Sequence, residues 1–169
     1  MLVSAHAYER EGVNAIPEVL ADVVAARLCW RVDGGVVQTN VVTHTGADGF
    51  ARLARQPAFD GAVTAGADYL MVDDLVGMGG TLGNRGGDIE PRGGRVVAAV
   101  VLTGKPHSAK LRLSGERLHE LRSTHGAALE LWWQERFGHA FDALTESEAR
   151  YLVRTPDPAT IRNRIAAAE

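Results

Sequence analysis

The chain has almost no cysteine. Among 169 residues only Cys29 is present, so an internal disulfide is excluded. Its neighbours Leu28 and Trp30 mark it as a small buried hydrophobe rather than a nucleophile. No apolar run reaches the ~18 residues that a membrane-spanning helix requires. The opening Met1-Leu-Val-Ser-Ala-His-Ala lacks the basic flank and apolar core of a signal peptide. Neither sign of charge dominates: 18 basic against 21 acidic residues give a net charge of −3. The general electrostatic footprint of a nucleic-acid-binding protein is therefore missing. Six histidines are scattered without the spacing of a zinc site, and no repeat or low-complexity segment occurs. The expectation is a soluble, cytoplasmic protein. What is plentiful is apolar residues, at 46%, and glycine, at 19 residues. The length suits one domain with a sizeable core.

The most informative stretch is Tyr69-Leu-Met-Val-Asp-Asp-Leu-Val-Gly-Met-Gly-Gly-Thr81. Tyr69 to Val72 read as a short buried strand. Asp73 and Asp74 follow, at the carboxyl end where α/β proteins place polar function. In Gly77-Met-Gly-Gly-Thr81, glycines let successive backbone N–H groups converge on one point. A helix from Leu82 to no further than Glu90 follows, because Pro91 disfavours helix at the residue before it. Its glycines, Gly83, Gly86 and Gly87, imply close approach to the sheet. The near-continuous apolar run to Leu102 after Arg95 reads as a strand buried on both faces. Strand, helix and strand make a βαβ unit, hence an α/β fold with a parallel sheet.

Upstream, residues 2–5 read as a strand and His6 to Gly12 as a loop. Asn14 caps a helix whose wide apolar face is Ile16, Val19, Leu20, Val23, Val24 and Leu28. Val36 to Val42 reads as a strand. The polar segment 44–57 carries Arg52 and Arg55, three apart and on one side of a helical turn. Downstream, Glu116 to Arg122 is amphipathic, and Gly126 divides it from an apolar-faced helix over Ala127 to Phe137. Thr145-Glu-Ser-Glu148 is patterned as a capping box, and Ala159 to Ile165 forms a last helix. Trp132, Trp133, Phe137, Phe141 and Tyr151, at helical spacing, read as core, with His139 and Asp142 structural.

The strand, acidic pair and glycine-rich loop together resemble the phosphoribosyl-pyrophosphate (PRPP) motif of type I phosphoribosyltransferases. The likeness covers roughly residues 69–105; Met78 stands where many members carry a hydroxyl. It implies a Rossmann-like parallel-sheet core over residues 1–105 and a helical extension over 106–169, serving as hood or dimer surface in the same compact domain. It implies that Asp73 and Asp74 are catalytic, serving the ribose hydroxyls and Mg²⁺, directly or through water. Val76, Gly77, Met78, Gly79, Gly80 and Thr81 would wrap the 5′-phosphate. Arg10, Arg52 and Arg55 would hold pyrophosphate, and Lys105 would contact the base. With the chain opening almost at its first strand, no N-terminal hood is expected. The implied activity is phosphoribosyl transfer to a nitrogen nucleophile such as a nucleobase. Such an enzyme is a homodimeric glycosyltransferase of nucleotide metabolism. A PRPP- or nucleotide-sensing regulator and a nucleotide N-glycosidic hydrolase are the alternatives.

Overall fold

A computed structural model describes residues 1–4, 7–9, 12–42 and 48–168. In chain order the elements are β1 (Leu2–Ser4), β2 (Ala7–Glu9), β3 (Gly12–Asn14), α1 (Ile16–Leu28), β4 (Val36–Gln38), α2 (Gly49–Ala54), β5 (Phe59–Gly61), β6 (Asp68–Val76), α3 (Gly80–Ile89) and β7 (Arg95–Gly104). A short 3₁₀ turn over Pro106–Ala109 leads to α4 (Gly115–Phe137), a second 3₁₀ turn at Phe141–Ala143, α5 (Glu146–Val153) and α6 (Pro158–Ala167).

The fold is mixed α/β around a three-stranded parallel sheet in the order β1-β6-β7. Alternation along β6 divides the core. Leu70 and Val72 meet Leu2, Ala21 and Ala25 on the α1 side. Tyr69 and Met71 meet Val3, Leu82 and Ile89 on the α3 side. That two-residue period is what a strand with both faces covered requires. The β6–α3–β7 crossover joins adjacent parallel strands, as the sequence implies.

Several expectations need correction. The strand at residue 69 does not stop at Val72. Because β7 runs beside it to Gly104, the ladder continues through Asp73 and Leu75 to Val76, and both carboxylates lie inside the strand. β7 is an edge strand: Val97, Val100 and Leu102 are exposed, not buried on both faces. The apolar face expected of α1 turns largely outward. Pro17, Ala21 and Ala25 are its buried residues, while Ile16, Val19, Val23 and Leu28 are exposed. Small side chains at four-residue spacing let the helix lie close to the sheet, which rejects the bulkier ones. The cap of α1 is Ala15 rather than Asn14, and Cys29 is exposed in the left-handed region at φ 54°. The strand at Val36 ends at Gln38, where Gln38 Nε2 donates to the Asn40 carbonyl at 2.7 Å and turns the chain. The segment expected as a loop from His6 to Gly12 contains β2 and the first residue of its antiparallel partner β3.

The helical tail keeps its own core. Leu121, Leu129, Trp133, Phe141, Leu152, Ile161 and Ile165 are fully buried and enclose Phe50 and Leu53 of α2. Gly126, at φ 74° and ψ 168°, breaks α4 where the sequence divides it, and Arg122 pairs with Glu130 across the break at 2.8 Å. Thr145 and Glu148 form the capping box.

Of the α3 glycines Gly86 faces the sheet, where a Cβ would stand 3.9 Å from Met71 and Val96, while the tighter approaches at this end of the helix are to the tail. A Cβ on Gly79 would lie 2.9 Å from Leu111 Cδ2, and one on Gly83 would lie 3.1 Å from Thr145 Cγ2. Gly79 is also left-handed, at φ 90°. Gly87 has open space around its missing side chain. Gly79→Ala is therefore expected to destabilise the fold by roughly 1–2 kcal/mol. Gly87→Ala should stabilise it by up to ~1 kcal/mol. Denaturant midpoints of the two variants check this pair of opposite signs.

Candidate functional site

A cleft of about 360 Å³ opens at the carboxyl end of β6. Its walls come from Asn14 of β3, Gln38 of β4, Arg52 of α2, Asp73 and Asp74 of β6, the turn Val76–Thr81, Asn84 of α3 and Glu148 of α5. The two adjacent carboxylates point differently, as successive strand residues must. Asp73 is buried, and its Oδ1 accepts from the Asp74 backbone N–H at 2.9 Å. Asp74 is half-buried, and its Oδ2 accepts from Asn14 Nδ2, also at 2.9 Å. Burial, and then the neighbouring Asp74, push the Asp73 carboxyl up to about 7.

Beneath the cleft lies a cation that sequence reasoning did not single out. Arg85 of α3 is fully buried, and none of its three guanidinium nitrogens finds a hydrogen-bond partner among the described residues. It sits over the Phe59 ring, 4.6 Å from the centroid. Burial lowers its pKa to about 10 against the opposing pull of Asp73, so it stays charged at neutral pH. Spacing offered one clue. Arg85 lies three residues after Leu82 and four before Ile89, on the helix stripe that must face the core.

The glycine turn carries a second unexpected feature. Glu148 is buried, with burial raising its pKa, and its Oε2 accepts from the Thr145 N–H at 2.9 Å. Its Oε1 lies 2.6 Å from where a Gly80 Cβ would stand. A carboxylate of the protein itself thus stands at the N-terminus of α3, the position where a helix dipole attracts an anion. The turn is held from two further sides. Ser108 Oγ donates to the Gly77 carbonyl, and Thr145 Oγ1 donates to the Met78 carbonyl at 2.7 Å.

The remaining predicted residues divide. Arg52 reaches the turn, its Nη1 lying 2.7 Å from where a Gly77 Cβ would stand. Arg55 is exposed at the C-cap of α2 with φ −105° and ψ 77°, so the two arginines do not share a helical turn, and it lines neither cavity. Lys105 follows β7 and lines a second cavity beyond the turn. Arg10 lies outside the described residues. Among the described residues, no group of three or more His, Cys, Asp or Glu side chains could hold a metal ion, and no helix is long and apolar enough to cross a membrane.

Comparison with known proteins points away from the transferase resemblance. The chain is 41% identical over 167 residues, 99% of its length, to the Escherichia coli protein TraN, and that alignment spans 37% of TraN. It is also 40% identical over 89 residues, 53% of its length, to a Haemophilus influenzae protein described as uncharacterized, covering 20% of that protein. The chain therefore corresponds to well under half the length of the relatives it matches. No family model matches it. No solved structure matches it.

The assignment to the type I phosphoribosyltransferases is thereby corrected. Phosphoribosyl transfer with its regulator and hydrolase alternatives, the enzyme class, and the place in nucleotide metabolism fall with it. The physical reason is that a buried strand, an acidic pair and a glycine turn before a helix form a short solution to a general problem. They set polar groups at a strand end, whatever the ligand.

Asp73 makes the site's charge depend on pH. Its folded pKa lies above the ordinary carboxylate value of 3.8. Between those values the folded state binds the extra proton, so this group's contribution to stability falls as pH rises from about 4 to 7. Asp73→Asn should remove that loss. The variant is expected to gain on the natural protein by roughly a few kcal/mol at pH 8 relative to pH 4. Urea titrations of both proteins across that range measure the difference.

Proposed function

We propose that the chain is a ligand-binding module of a longer, conjugation-related protein, and that its cleft takes a small polyhydroxylated molecule of the sugar or nucleoside class. The conjugation setting rests on TraN, whose relationship spans nearly the whole chain. The chemistry rests on one observation: Asp73, Asp74 and Glu148 converge on a cleft of ligand size together with the amides of Asn14, Gln38 and Asn84. Three carboxyl groups against Arg52 make a site rich in hydrogen-bond acceptors. Vicinal hydroxyls, each a donor, complement such a site without bringing a like charge.

Each group has a role in this reading. Asp74, oriented by Asn14, accepts from one hydroxyl, and Asp73 shares a proton with the ligand near neutral pH. Backbone N–H groups of Gly77 to Thr81 face the oxygens that a carboxylate cannot serve. A Mg²⁺ ion is compatible with Asp73 and Asp74, since that ion is commonly held by one or two carboxylates with water and ligand oxygens filling its shell. It would supply an electrophilic anchor for a ligand oxygen.

Thermal melting with adenosine and with ribose, each with and without Mg²⁺, tests the proposal. A ligand at a hundred times its dissociation constant stabilises the fold by about 2.7 kcal/mol. The expected result is a raised melting temperature in the natural protein and none in the Asp73→Asn, Asp74→Asn variant. Equal melting curves with every polyol and nucleoside tried would remove the cleft as a hydroxyl-binding site.

A further inference from the structure

On the other side of the Leu75–Met78 ridge lies a second cavity, of about 580 Å³. It is walled by the end of β7, the 3₁₀ turn after it and the last turns of α5. Its charge is the reverse of the cleft's. Arg52, Lys105, His107, Arg150 and Arg154 line it, and among the described residues lining it none is acidic. In a protein of net charge −3 that concentration is not a matter of composition.

Structural roles do not account for the set. Among the described residues, the side chains of Lys105, Arg150 and Arg154 make no hydrogen bond or ion pair, as is also true of Arg27, Arg31 and Arg55; what sets the three apart is that they converge on one cavity. Arg150 and Arg154 sit at the end of α5, where a helix dipole favours cations. That reason does not reach Lys105 and His107, which belong to a different segment. Like charges four apart on one helix repel. The mutual field is felt at His107, whose pKa is lowered by desolvation and then by Arg150, Lys105 and Arg154. Four converging groups on two elements hold this repulsion around an open volume, and an anion filling it would relieve all of them.

We infer that this cavity is an anion site for a di- or triphosphate group, with Lys105, Arg150 and Arg154 as its charge partners and His107 beside them. The site adjoins the cleft, since the two cavities share Arg52, Leu75, Val76, Gly77 and Met78. Guanidinium forks match phosphate oxygens in pairs.

Titration calorimetry with inorganic tripolyphosphate isolates this site from the cleft. The natural protein is expected to bind it. Arg150→Gln, Arg154→Gln should weaken binding by about tenfold or more. Arg27→Gln, Arg31→Gln, which removes the same charge at the exposed end of α1, should leave it unchanged. Tripolyphosphate binding that survives where adenosine fails would sink the cleft reading alone. Circular dichroism melts verify that each variant is folded. Three results would overturn the inference: no binding by the natural protein, equal losses in both arginine pairs, or preference for single-stranded DNA that rises with its length.

Discussion

Everything of functional interest hangs on how the helical tail grips the glycine turn after β6. Two hydroxyls, from Ser108 and Thr145, take the carbonyls of Gly77 and Met78, and the Glu148 carboxyl closes on Gly80. These contacts fix a ridge whose two flanks are the two cavities. Thr145 holds the turn with the same hydroxyl oxygen that caps α5, accepting from the Glu148 N–H while donating to Met78. One residue therefore sets the start of a helix and the shape of the site. Side chains larger than hydrogen at Gly79, Gly80 or Gly83 would wedge the tail away, which is why glycines occupy a helix that their propensity opposes.

The second constraint is electrostatic. Sheet and α3 bury Asp73 and Arg85 in the same region without a hydrogen bond joining them. Attraction between the charges only partly offsets the cost of desolvating each, as the shifts of both groups toward their neutral forms show. Buried pairs of this kind are poor stabilisers compared with apolar packing of equal volume. Their presence next to a cleft fits a site that retains polar groups for use.

Local pattern carried much of the architecture. The βαβ unit, the break at Gly126 and the capping box follow from periodicity, from one glycine and from a four-residue signature. Other features depend on neighbours distant in sequence and left little local trace. The outward turn of Ile16, Val19 and Val23 depends on which side of α1 can come closest to the sheet, and alanine decides that over valine. β7 reads as buried because its sequence is apolar, yet burial needs a neighbour on each face. In the site, Asp73 and Asp74 were visible as an acidic pair at a strand end. Glu148 was visible only as a cap, because its approach to Gly80 joins residues far apart in the chain. The resemblance to a transferase family rested on one short motif, and a relationship spanning nearly the entire chain outweighs it.

Among the described residues β7 is the longest strand, and it forms one of the sheet's two edges, ten residues against the three of β1 at the other. Its inner edge is spent on β6, leaving an outer row of backbone donors and acceptors up to ~33 Å long. Thr103 and Gly104, at the end of that row, belong to the wall of the cationic cavity. A strand laid along this edge would do more than lengthen the sheet. It would splint one wall of the cavity, so that the stiffness of an anion site could be set from outside it by whatever backbone completes the ladder.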